Sequence, residues 1–183
     1  METEALFYSQ IQNSTAHRPV RDLLCGDVLA NPELFKKLME TALNVGDKDH
    51  HKACWILELV MESNLAWLQI YLDHFCSTLK QYKHDGALRS VSKVCLFAVQ
   101  RHEKSGCKFL GDEHTAYITE ASFDWLIADN KVATKAYAMR TLYSVGTQHP
   151  WIHPELKQLL LSGFPKHSAG YKAAAKDILK RIG

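Results

Sequence analysis

The chain has 183 residues, 46% of them hydrophobic and 23% charged, with 9 glycines and 5 prolines, a balance that excludes disordered, collagenous and low-complexity classes. At this length a fold hides roughly 70% of its unfolded surface, so residues 1–183 are expected to form a single domain without disulfide or metal staples. The formal charge of +2 is uneven: residues 131–183 hold 9 basic and 2 acidic side chains, net +7, whereas the two preceding thirds are both weakly acidic.

Residues 1–30 read as an N-terminal helical cap, with weak helices over 5–12 and 20–30 separated by Asn13-Ser14-Thr15 and Pro19. Asn31, Pro32 and Glu33 then supply a capping residue, an N-terminal proline and an early carboxylate for a helix carrying Leu34, Leu38 and Leu43 that stops by Gly46. Asp47 or Asp49 caps the next, in which Ala53, Ile56, Leu57 and Val60 recur at i, i+3, i+4 and i+7. Residues 65–82 predict one helix with Leu68, Tyr71, Leu72, Phe75 and Leu79 on its apolar side, broken by Asp85-Gly86. Val91, Val94, Cys95 and Ala98 mark a helix over 87–102.

A polar loop is expected over 103–111, followed by helices over 112–128 and 132–146 with Asp129-Asn130 as their turn. Pro150 and Pro154 bound a connection, and helices over 155–162 and 169–182, the second capped by Ser168, complete the chain. No alternating β-branched run interrupts this succession, so the class is all-α.

A repeat runs through these helices. Lys52, Arg89, Lys135 and Lys172 each open a second helix, each precedes a leucine by seven residues (Leu59, Leu96, Leu142, Leu179), and each is followed by a small residue (Ala53, Ser90, Ala136, Ala173). The cations are 37, 46 and 37 residues apart. Helix pairs of this period bury their apolar faces by stacking on neighbours. The pattern resembles HEAT and armadillo-like repeats. That resemblance implies a right-handed α-α superhelix of about four helix pairs (31–63, 64–103, 112–149, 153–182). It also implies a structural polar ladder through Lys52, Asp85, Arg89, Asp129 and Lys135. The chain is also similar to short HEAT-like proteins, some of which have carried an adenylosuccinate lyase label. The mobile Ser-Ser-x-Met-Pro-x-Lys-x-Asn loop of those lyases does not occur in this sequence, so that activity is not carried over.

Motifs for chemistry are few. His149 with His153, His50 with His51, and His74 with Cys76 do not reach the three or four ligands of a zinc site, and no phosphate-binding glycine motif or G-x-S-x-G elbow is present. No metal, cofactor or catalytic group is therefore expected. Cys25, Cys54, Cys76, Cys95 and Cys107 lack a C-x-x-C pair, and the opening METEALFYSQ lacks a signal-peptide plan. A reducing, cytoplasmic setting is expected. Apolar runs as short as Trp55-Ile56-Leu57 exclude a membrane helix.

The expected function is non-enzymatic binding of a protein or peptide on the concave surface of the second helices. The candidate contacts are Lys93, Arg140, Lys172, Lys176 and Trp151. Two alternatives are carried. Residues 131–183 could bind nucleic acid through their basic charge, and Asp124, between Phe123 and Trp125, could serve as the aspartate of a DNA-alkylation-repair glycosylase of the HEAT-like type.

Overall fold

A computed structural model describes residues 2–106 and 108–183, so Cys107 lies outside the described residues. Their regular structure is helical, with no strand among the described residues. They divide into two compact units, residues 1–94 and 95–183. No helix among the described residues is long and apolar enough to cross a membrane.

The first unit begins with α1 (Glu2–Asn13), α2 (Arg18–Ala30), α3 (Leu34–Leu43) and α4 (His50–Ser63). Pro19 occupies the first turn of α2, where its missing N–H would have had no helical partner in any case. Helix α3 starts at Leu34, later than the Asn31-Pro32 signal implies. Asn31 and Pro32 instead form the preceding turn, their carbonyls accepting the Leu34 and Phe35 amides at 3.0 and 3.1 Å. Ala53, Ile56, Leu57 and Val60 of α4 are fully buried, and the helix packs against α2 and α3. Asp49 precedes α4 but makes no side-chain cap bond.

Residues 65–82 differ from the expected single helix. They form a 3₁₀ segment (Leu65–Tyr71), a short α5 (Leu72–Thr78) and a second 3₁₀ turn (Leu79–Gln81). Leu65, Leu68 and Tyr71 fall at a spacing of three, which aligns side chains in a 3₁₀ helix, and Leu68 is buried. Leu72, Phe75, Cys76 and Leu79 then resume the α-helical spacing and are buried as well.

Helix α6 (Asp85–Lys104) begins two residues before the expected start. The Nδ1 atom of His84 accepts the Gly86 amide at 3.0 Å, so a histidine caps the start of this helix. The first half of α6 belongs to the first unit and its second half to the second.

The second unit continues with α7 (Asp112–Ile127), α8 (Val132–Gly146), α9 (Ile152–Gly163), a 3₁₀ turn (Phe164–Lys166) and α10 (Ala169–Ile182). The loop before α7 is pinned where His102 Nδ1 accepts the Leu110 amide at 2.9 Å. Helix α9 starts three residues earlier than expected, because Pro154 falls in its first turn and is tolerated there. Ser168 precedes α10 without a side-chain cap bond. Helix α8 packs against α7, α9 and α10, which buries Ala138, Met139 and Leu142 completely.

Gly146 closes α8 against the imidazole of His153, whose Nε2–H donates to the Tyr143 carbonyl at 2.9 Å. A methyl group at position 146 would fall on that ring. Gly146→Ala is therefore expected to lose about 1–2 kcal/mol despite the better helix propensity of alanine. In urea denaturation the double variant Gly146→Ala/His153→Ala should be more stable than the sum of the two single changes predicts.

Candidate functional site

The four repeat cations meet four different environments. Lys52 pairs with Asp49 at 3.0 Å and also donates to the Gln12 carbonyl. Arg89 pairs with Glu58 at 2.9 Å. Lys135, only 3% exposed, donates to the Leu126 carbonyl at 2.9 Å in the last turn of α7, where the helix end favours a cation. Burial lowers its pKa, and Asp129 opposes that only through its charge. Lys172 lies over the Phe164 ring at 6.0 Å.

Glu58 is the centre of the polar contacts in the first unit. At 2% exposure it accepts from Arg89, from the Ser90 hydroxyl at 2.7 Å and from Lys93 at 3.1 Å, and Lys93 also reaches Glu62 at 3.3 Å. A buried carboxylate requires counter-charge, and the Lys93 ammonium supplies part of it. Burial works against the charge on Lys93, yet its bonds to Glu58 and Glu62 outweigh that and hold its pKa above the usual value.

In the second unit a cleft of about 630 Å³ is lined from α6, α8 and α10. These are the second helices of the expected pairs. Glu103 accepts the Ser144 hydroxyl at 2.6 Å and the Thr147 hydroxyl at 3.2 Å. Arg181 forms a two-point pair with Asp177 at 3.2 and 3.3 Å and lies over the Tyr143 ring at 5.8 Å. Arg140 is exposed and lines the same cleft. Of the five expected partner contacts, Arg140 is the one this cleft brings to its wall; Lys172 is half-buried and Lys176 exposed elsewhere on α10.

Trp151 is 58% exposed. It stacks on Phe123 and lines a separate cleft of about 380 Å³ with Asp112, Glu120 and His149. Asp124 is exposed while its neighbour Trp125 is buried in the core. Cys25, Cys54, Cys76 and Cys95 are free and buried. Burial pushes the thiols of Cys54 and Cys76 up to about 12, a setting that suppresses nucleophilic thiolate.

Three histidines gather where sequence spacing gave no signal, because His84 lies far along the chain from the other two. His51 stacks on His84 with ring centres 3.9 Å apart, and His50 is 6.2 Å from His84. Among the described residues, no three His, Cys, Asp or Glu side chains are grouped so as to hold a metal ion. No family model, no curated protein and no solved structure matches the chain.

Two outcomes are expected. Arg89→Met with Lys93→Met strands the Glu58 carboxylate and should cost about 3–5 kcal/mol, most of it recovered when Glu58→Met is added; chemical denaturation of the set measures this. His51 is held below the ordinary imidazole value of 6.5 by burial first, then by His84 and His50. The unfolded chain thus takes the proton first on acidification, so this contribution is complete above about pH 6.5 and is lost as the pH falls through the folded value. Thermal melts from about pH 7 to 5 should show a falling Tm, with a shallower slope in His51→Gln.

Proposed function

We propose that this chain is a non-enzymatic helical-repeat scaffold, of HEAT or armadillo-like type, that binds a protein or peptide partner along its second helices. A right-handed superhelix of about four helix pairs and a cytoplasmic setting belong to the same reading. Free, buried cysteines and the recurring small residue after each repeat cation support it. The observation that carries the reading is the cleft lined from α6, α8 and α10.

The chemistry of that cleft favours a polypeptide over a nucleic acid. Its wall holds both signs of charge, Glu103 and Asp177 beside Arg140 and Arg181, together with the Ser144 and Thr147 hydroxyls and the apolar Leu96 and Ile178. A peptide offers N–H donors, carbonyl acceptors, side chains of either sign and apolar surface to such a wall. A phosphate backbone would meet two carboxylates there, at a cost in repulsion. Nucleic acid binding would have to use other parts of residues 131–183, including Lys176 and Lys180 on α10, both exposed.

Display of random peptides against the purified chain tests this. The expected result is a family of binders whose affinity falls at least about tenfold in Arg140→Glu, as for a central interface residue. Failure to select peptides, or selection indifferent to Arg140→Glu, overturns the reading. Duplex DNA and single-stranded RNA titrated at about 50 and 200 mM salt test the alternative, which requires affinity that drops steeply over that range.

A further inference from the structure

Residues 108–111 lead into α7 and place two apolar side chains in the second unit, Phe109 and Leu110, 7% and 6% exposed. Two consecutive backbone amides of this segment donate to imidazoles rather than to carbonyls. The Leu110 N–H donates to His102 Nδ1 on α6 at 2.9 Å, and the Gly111 N–H donates to His114 Nδ1 on α7 at 3.1 Å. A backbone amide only donates, so each Nδ1 offers a lone pair and each ring is neutral, with its proton on Nε2. His102 is itself 8% exposed. The cavity beside it, lined by Val99, His102, Leu110, Val145 and His149, holds about 10 Å³, no more than a single water requires.

We propose that His102 and His114 form an acid-released latch, which holds Phe109 and Leu110 in the core while both rings are neutral and frees residues 108–111 when the rings take up protons. An imidazolium carries N–H groups at both nitrogens and accepts nothing, so protonation turns each of these bonds into two donors facing one another. The Leu110 amide is then buried without an acceptor, and the small cavity beside it has no room for the solvent that would replace one. Outward movement of the segment relieves this, because water accepts from both amides and solvates both cations. What opposes the movement is the apolar surface of Phe109 and Leu110 that it exposes. Closure requires neutral rings and opening binds protons, so the latch is shut above the pH range in which histidines titrate and opens as the pH falls through it. The charged and titratable groups around the pair are Arg101, Glu103 and Lys104 flanking His102, Asp112 and Glu113 flanking His114, Lys108 on the segment itself, and His149 at the cavity. Glu103 is engaged by the Ser144 and Thr147 hydroxyls, and His149 lines the cavity without holding either amide.

Native-state amide exchange of the full-length ¹⁵N-labelled chain tests this, with protection factors, which remove the intrinsic effect of pH on exchange, compared at about pH 7.5 and about pH 5. Opening of the whole second unit is read at the amide of Met139, buried in α8. At the lower pH the Leu110 and Gly111 amides are expected to lose about tenfold in protection relative to Met139, as for one hydrogen bond lost at each. In His102→Asn/His114→Asn a side-chain carbonyl takes the place of each Nδ1 and accepts without titrating, so the protection of both amides should be the same at the two pH values. His149→Gln should retain the wild-type loss. The proposal is overturned if the two amides keep their protection at the lower pH, if they lose it only in step with Met139, if the loss persists in the double asparagine variant, or if His149→Gln abolishes it. Circular dichroism checks the fold of each variant, and the wild-type comparison decides by itself if a variant does not fold.

Discussion

A helix with one apolar face is not stable alone in water, because the cost of ordering its backbone is met only when that face is covered. Everything described in this chain follows from that constraint. Helix α4 covers its stripe with α2 and α3 in the first unit, and α8 covers its stripe with α7, α9 and α10 in the second. The residues that meet are small or branched and fully buried, such as Ala53, Ile56 and Leu57 in one case and Ala138 and Leu142 in the other. The faces not needed for burial are the ones left to line clefts.

Close packing also dictates what happens to polar groups caught between helices. Glu58 cannot lie buried without compensation, so it gathers Arg89, Ser90 and Lys93 around it. Lys135 meets the same difficulty by reaching a helix-end carbonyl. The two solutions differ because one group is an acceptor with two oxygens to satisfy, and the other is a donor placed beside the unpaired carbonyls of a helix terminus. Both tie a second helix to its neighbour, and neither calls for a ligand.

Helix class and most helix positions were legible because apolar spacing reports directly on burial. The spans 132–146 and 169–182 coincide with α8 and α10. Departures arose where local backbone chemistry competed with that spacing. Residues 65–71 carry apolar groups at a period of three, which the α-helical reading absorbed without distinguishing it, and the result is a 3₁₀ segment. His84 supplies a cap that is ordinarily sought among aspartate, asparagine and serine. Partners of the repeat cations were not legible, since Glu58 sits inside an apolar helix with no signal tying it to a cation 31 residues away. Arg140 lines the cleft from a second helix together with Glu103 and Asp177, two acids that carry no sequence signal because acids on helix faces look alike in sequence.

The buried thiols have a consequence for how the molecule ages and how its motions can be followed. Cys54 and Cys76 sit behind packed helices with their ionisation suppressed, so an oxidant or alkylating reagent finds them only when those helices part. Their consumption over time is then a clock for transient opening of the first unit, running at the rate at which the core breathes rather than at the rate of the reagent. Chemical damage at these positions would follow loss of structure rather than cause it.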